Sequence, residues 1–224
     1  MIEINTIYNM DCLDGLKLIP DELIDLICMD APYLINYSTN HRKNKNHDFC
    51  TPIAGDSDQQ LIIDIIPELY RVLKPNTAMY MFCSPDTIDF FKPLVEEYFK
   101  VKNLIIWSKG NWTAGDLKAQ YGKSYEIIIY ANKGRRIFNG KRLSDIWSFA
   151  RVAGKNQLHQ NQKPVELVEQ MVEKSSNVGD IVLDPFIGSG TTAVACKNTG
   201  RNYIGFEINE EYVKITEKRL EERL

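Results

Sequence analysis

Paired cysteines are missing. The five present, Cys12, Cys28, Cys50, Cys83 and Cys196, are odd in number and form no C-x-x-C. Such a scattered set is neither a disulfide framework nor a zinc cluster, and it suits thiols kept reduced in a cytoplasm. Histidine is scarce as well. Of the three, His41 and His47 lie near Cys50 in a polar stretch without a fourth ligand, so no metal is expected. Apolar runs such as 127–131 fall far short of the ~20 residues a membrane span needs. The opening MIEINTIYNMD lacks a basic region followed by an apolar one, so a cytoplasmic location is expected, with no membrane partner. Nor is there a surplus of positive charge. The net charge of -3 excludes a wholly basic coat protein but leaves room for an enzyme with local basic surface. What remains is 224 residues, 44% hydrophobic and 25% charged, enough for one domain that buries roughly 70% of its unfolded surface.

No repeat or linker divides residues 1–224. Short apolar runs alternate with amphipathic stretches, the pattern of an α/β fold with a mostly parallel sheet. Strands are expected at 4–9, 23–29, 78–83, 104–107, 125–131, 180–183 and 203–207. Helices are expected near 13–19, 61–73, 88–99, 164–176, 191–199 and 210–223, with Lys74-Pro75-Asn76 stopping the second. The irregular segment at about 34–57 is long enough to suggest a mobile functional loop.

Two strand ends carry chemistry. In IVLDPFIGSGTTAVACKNTGRNYIGFEIN a strand is followed by Asp184, then by Gly188 and Gly190, then by a helix near Thr191. Glycines there let a ligand approach the backbone. Glu207, 23 residues after Asp184, ends the next strand, where an acid can accept hydrogen bonds from ribose hydroxyls. The unit reads as a nucleoside-cofactor site. Asp184 beside the turn disfavours a pyrophosphate and favours a cofactor bearing an amino group.

In LIDLICMDAPYLINYS an apolar strand delivers Asp30-Ala31-Pro32-Tyr33 to its C-terminal edge. The exocyclic amino group of a base is a poor nucleophile because its lone pair is delocalised into the ring. Two acceptors, the Asp30 carboxylate and the Ala31 carbonyl, would localise that lone pair as nitrogen becomes tetrahedral. Pro32 stiffens the turn, and the Tyr33 ring offers a face for a base taken out of its stack.

These motifs resemble those of the amino-group DNA methyltransferases. DAPY is similar to their (D/N/S)PP(Y/F/W) tetrad, with Ala31 in place of the first proline, and DPFIGSGTT is similar to their cofactor motif. NMDCLDGL, HQNQKP with His159 and Lys163, and FEIN match further elements in order. The tetrad precedes the glycine motif, the permuted order of the β group. The resemblance implies a single Rossmann-like S-adenosylmethionine-dependent domain with a seven-stranded, circularly permuted sheet. It implies that Asp30, Ala31, Pro32 and Tyr33 are catalytic. Asp184, Phe186, Gly188 and Gly190 would surround the cofactor's methionine end, with Thr191 and Lys163 at its carboxylate. Glu207 would take the ribose, and Asp11 and Cys12 the adenine.

The implied reaction is direct methyl transfer to a flipped base in double-stranded DNA. A C5-cytosine mechanism would need a thiol nucleophile, set in a Pro-Cys pair in that family, and the chain has none. Asp30 resembles the N6-adenine enzymes more than the N4-cytosine ones. N4-cytosine methylation, an RNA amino methyltransferase and a non-catalytic subunit remain as alternatives. Target reading is expected in a short insertion at about 109–158. Its run KGRRIFNGKR holds five Lys/Arg and no acid, so Arg135, Arg136, Lys141 and Arg142, with Lys43 from the earlier loop, are the expected DNA contacts. A homodimer and a cognate restriction endonuclease are further possible partners, and the nucleoid is the expected place of action.

Overall fold

The computed structural model describes residues 2–34, 58–112, 118–152 and 162–221. In chain order the elements are β1 (Thr6–Asn9), α1 (Cys12–Lys17), β2 (Ile24–Met29), α2 (Gln59–Val72), β3 (Leu73–Cys83), α3 (Ile88–Glu96) and β4 (Lys100–Ser108). They continue with β5 (Tyr125–Lys133), β6 (Ile146–Ser148), α4 (Val165–Ser175), β7 (Ile181–Asp184), α5 (Thr191–Thr199), β8 (Asn202–Glu207) and α6 (Glu210–Glu221).

All strands join one sheet in the order β1-β8-β7-β2-β3-β5-β4-β6. The first five run parallel, and β5 is antiparallel to both β3 and β4. Seven strands were expected and eight are present among the described residues. The additional one, β6, is a three-residue edge strand beside β4 in which only Trp147 is buried, too short to show any period in the sequence. Central strands are mostly apolar because both faces are covered. Ile27, Met29, Met79 and Met81 face a core with α1, α2 and α3, while Leu26, Cys28, Ala78 and Tyr80 face a second core with α4 and α5.

Helix α2 stops at Val72, just before Lys74-Pro75-Asn76, as expected, but no loop follows. The chain passes from α2 straight into β3, and the irregularity becomes a bulge: the β2–β3 register slips between Ile24 and Leu26, and Asn76 has φ 61°. The segment expected as an insertion is not one block either. Its β5 lies in the middle of the sheet and β6 at its edge, while 113–117 and 153–158 lie outside the described residues, as does the expected loop beyond Leu34.

Strand order places the site. From β7 the chain continues through α5 to β8 on one side, whereas β2 leads through α2 to β3 on the other. The C-terminal ends of β7 and β2 therefore flank a topological switch point, where open α/β sheets bind ligands. Asp184 ends one strand and Asp30 follows the other.

Candidate active site

Asp30 emerges from β2 with its two carboxylate oxygens in different surroundings. Oδ2 accepts a hydrogen bond from the Lys163 ammonium at 2.6 Å. Oδ1 is buried and has no hydrogen-bond partner among the described residues. Burial pushes the Asp30 carboxyl above the usual carboxylate range, Lys163 pulls it back, and Glu126 raises it further. Ala31 and Pro32 are buried beside it. The Tyr33 carbonyl accepts from the Thr87 hydroxyl at 3.1 Å, and the Tyr33 hydroxyl donates to Glu126 Oε2 at 2.8 Å.

Across the switch point, the carboxylate of Asp184 closes the glycine turn. Its Oδ1 accepts from the Phe186 amide at 3.0 Å and its Oδ2 from the Thr192 hydroxyl at 2.6 Å. Burial pushes its pKa up to about 7. Gly188 and Gly190 take φ of 52° and 80°, the left-handed region that glycine tolerates. The Gly188 amide donates to Glu207 Oε2 at 3.0 Å and the Asn209 amide to Glu207 Oε1 at 2.8 Å, tying the turn to the tip of β8. Thr191 begins α5, and its hydroxyl donates to the Lys163 carbonyl at 3.4 Å. Phe186 is half-buried against the first core.

The third edge comes from β1. Asp11 caps α1 by accepting from the Leu13 amide at 2.8 Å. The Met10 amide donates to the Glu207 carbonyl at 3.1 Å, so Asp11 stands next to Glu207. Cys12 is buried, and burial pushes its thiol up to about 12, which suits packing rather than nucleophilic attack. Asp11, Cys12, Asp184, Phe186, Gly188, Gly190, Thr191 and Glu207 thus converge on one edge of the sheet with the tetrad.

Two expected groups lie elsewhere than the motifs alone suggest. Lys163 does not reach out as a cofactor-carboxylate ligand: its buried ammonium lies 2.6 Å from Asp30 Oδ2 and 3.5 Å from Glu126 Oε2. The basic run is at the wrong end of the sheet. In the antiparallel β3–β5 pair, Ile127 sits opposite Cys83 and Lys133 opposite Thr77. Arg135, Arg136, Lys141 and Arg142 follow Lys133, so they begin ~20 Å from the tetrad edge at ~3.4 Å per residue. Arg136 is half-buried and donates to Asn139 Oδ1 at 3.1 Å, and Arg142 lines a cavity of about 240 Å³ with Tyr80, Tyr130 and Trp147. Lys43 and His159 lie outside the described residues.

Glu126 and Lys109 were not foreseen. Lys109 Nζ donates to Glu126 Oε1 at 2.5 Å, and both side chains are largely buried. The available signal was an acid at the start of the apolar strand YEIIIYANK.

A glycine turn, an acid on the neighbouring strand tip and an amino-directed carboxylate across the switch point define a nucleoside-cofactor transferase class. The solved M1.HpyAVI–SAM complex has this fold, with a TM-score of 0.73, 29% identity, and 96% and 98% of the two chains covered. The cytosine-N4-specific PvuII DNA methyltransferase shares the fold alone, with a TM-score of 0.77 at 16% identity and coverage of 96% and 85%. The N6/N4 DNA methylase family model matches residues 24–218, and the chain belongs to that family. Relatives include the DNA adenine methyltransferase YhdJ of Escherichia coli K12, 32% identical over 98% of this chain and 83% of that protein. The type II methyltransferase M2.DpnII of Streptococcus pneumoniae is 33% identical over 96% and 89%. Among the described residues no helix is long and apolar enough to cross a membrane.

Proposed function

We propose that this protein is a site-specific DNA methyltransferase that modifies the exocyclic N6 of adenine, with S-adenosylmethionine as methyl donor. The observation that carries the reading is Asp30 Oδ1, a buried acceptor left without a partner beside the Ala31 carbonyl at the switch point. A buried carboxylate oxygen is costly to leave unmade, and an amino N–H of a target base satisfies it.

The donor set fits the cofactor. Glu207 would hold the ribose, Asp11 and Cys12 the adenine, and Asp184 with the glycine turn the methionine end. When bound, S-adenosylmethionine supplies an electrophilic methyl on a sulfonium. Asp30 and the Ala31 carbonyl orient the amino group and stabilise the positive charge that develops on nitrogen as the N–C bond forms. Tyr33 stacks on the base, recovering part of the few kcal/mol that extruding it from the duplex costs. The proton lost from nitrogen leaves through the acceptor that holds it, Asp30.

Adenine rather than cytosine rests on Asp30 at the head of the tetrad and on the similarity to YhdJ. The type II names of M.HinfI and M2.DpnII support a cognate endonuclease as partner, and protection of methylated DNA from cleavage tests that. Light scattering tests for a homodimer, and work on chromosomal DNA would place the protein at the nucleoid. The deciding experiment incubates duplex DNA with the protein and cofactor and then analyses the nucleosides by mass spectrometry. N6-methyladenine is expected. N4-methylcytosine would overturn the base, and methylation of RNA alone would overturn the substrate.

A further inference from the structure

A chain of charges stands behind the tetrad, and two of its four members, Lys109 and Glu126, belong to none of the recognised motifs. In order of contact it runs Lys109, Glu126, Lys163, Asp30. Lys109 Nζ lies 2.5 Å from Glu126 Oε1, Lys163 Nζ lies 3.5 Å from Glu126 Oε2, and Lys163 Nζ lies 2.6 Å from Asp30 Oδ2. Glu126 Oε2 also accepts the Tyr33 hydroxyl at 2.8 Å. The Lys163 ammonium sits 5.1 Å from the Tyr33 ring centre and 5.0 Å from that of Phe82. Glu126 thus meets both functional members of the tetrad, one directly and one through a lysine.

We propose that Glu126 is a positioning residue for methyl transfer: it clamps the Tyr33 ring by its hydroxyl and shares Lys163 with Asp30, so that Asp30 presents its free oxygen to the target amino group. This rests on the methyltransferase reading above. The arrangement has a physical rationale. A tyrosine ring rotates about its Cα–Cβ and Cβ–Cγ bonds, and a base can stack only on a ring already held in place. A buried hydrogen bond to a charged acceptor fixes it. Asp30 must stay ionised to accept from the amino group, although burial opposes ionisation. Lys163 offsets that penalty at Oδ2 without occupying Oδ1. Without Glu126, Lys163 would lose the partner that draws it away from Oδ1 and could bridge both Asp30 oxygens, blocking the acceptor.

The charged and titratable groups facing Asp30 are Lys163 from the start of α4, Glu126 from β5, Tyr33 from its own loop and Asp184 from β7. Removing one of them shifts the pH at which Asp30 ionises, in a direction set by that group's charge. Glu126 raises the Asp30 pKa and Lys163 lowers it. A merely structural role for either residue would not separate the two directions.

The test measures tritiated methyl transfer to duplex DNA by the full chain across pH, with cofactor affinity by calorimetry. Transfer by the wild type tests the methyltransferase reading, and the ratio of variant to wild type tests the positioning role. Tyr33→Phe is expected to lose kcat by about tenfold or more at unchanged cofactor affinity, the share of a charge-assisted hydrogen bond. Glu126→Ala should lose at least as much, and the double variant should be no slower than Glu126→Ala alone, because both changes break one contact. Glu126→Gln should move the acid limb of kcat/KM to lower pH, and Lys163→Met should move it to higher pH. Tyr33→Phe at the wild-type rate, or limbs that fail to move in opposite directions, would overturn the proposal. If Glu126→Ala does not fold, Tyr33→Phe and Glu126→Gln still decide it.

Discussion

Replacing Gly190 with alanine should damage the protein twice over, and the two shares can be separated. Gly190 has φ 80°, where an L side chain is strained. That conformation costs about 1–2 kcal/mol for a residue with a Cβ. A Cβ built there would also lie 2.1 Å from Thr216 Cγ2 and 2.8 Å from its Oγ1. Thr216 cannot simply retreat, because its hydroxyl donates to the Gly188 carbonyl at 3.0 Å. Overpacking of this kind costs about 1–3 kcal/mol. The sum is about 2–5 kcal/mol, which for a chain of this size lowers Tm by roughly 4–20 °C.

Relief of that strain pushes the glycine turn away from α6, so cofactor affinity should fall with stability. The Gly190→Ala, Thr216→Ser double variant removes the methyl at 2.1 Å and keeps the hydroxyl. It should recover part of the overlap share, since Oγ1 at 2.8 Å and Cβ at 2.9 Å stay close, and leave the φ share. Thermal melts with and without S-adenosylmethionine, and calorimetry of its binding, read both quantities. A Gly190→Ala protein that melts with the wild type would refute the reasoning, and so would a double variant that recovers nothing.

Asp184, at about 7 in the free protein, should be pulled down by a cofactor ammonium beside it. The bound state then prefers the carboxylate, so affinity is lost as pH falls. Calorimetry with S-adenosylhomocysteine should show about tenfold tighter binding at ~pH 8 than at ~pH 6, with proton release. Asp184→Asn should flatten the profile, and a flat wild-type profile would remove the ammonium from Asp184. Asp30→Ala should abolish methyl transfer while leaving cofactor affinity nearly intact, and residual transfer at the wild-type rate would sink the mechanism. Arg135→Ala with Arg136→Ala should leave the salt dependence of DNA binding unchanged, because both follow the strand end remote from the tetrad. A slope flattened by about one to two units would put phosphates on that edge after all.

Much of the fold was legible because parallel strands buried on both faces carry apolar runs, as β2 and β7 do, and because α2, α3 and α4 have an amphipathic period. β6 had neither. The glycine turn and the tetrad were legible for a different reason: each is local in the chain, with its backbone demands written in Gly188, Gly190 and Pro32. Glu126 was not, since its partners Tyr33, Lys109 and Lys163 lie 17 to 93 residues away. An acid within an apolar strand signals a buried charge but does not name what neutralises it. The hydroxyl of Tyr33 was likewise invisible, because the ring face alone accounts for its place in the motif.

Lys163 and the basic run show how proximity and direction come apart. Lys163 belongs to the cofactor side by its backbone, whose carbonyl accepts from Thr191, yet its ammonium belongs to the tetrad. A four-carbon side chain spans the switch point, so one residue links the strand that ends at Asp184 with the strand that leads to Asp30. The run 133–142 is displaced from the tetrad for the opposite reason. Local charge density ignores strand direction, and β5 is antiparallel, so a segment close to Glu126 in sequence leaves the sheet at its far end. Reversing one strand therefore does two things at once. It brings Glu126 to the edge where Asp30 waits, and it carries the arginines away from it. Any DNA contact near the tetrad must then come from segments that return to that edge, such as those around Lys109 and Lys123. Lys109 is already held by Glu126 and Lys123 pairs with Asp86, so neither is an isolated cation on that edge.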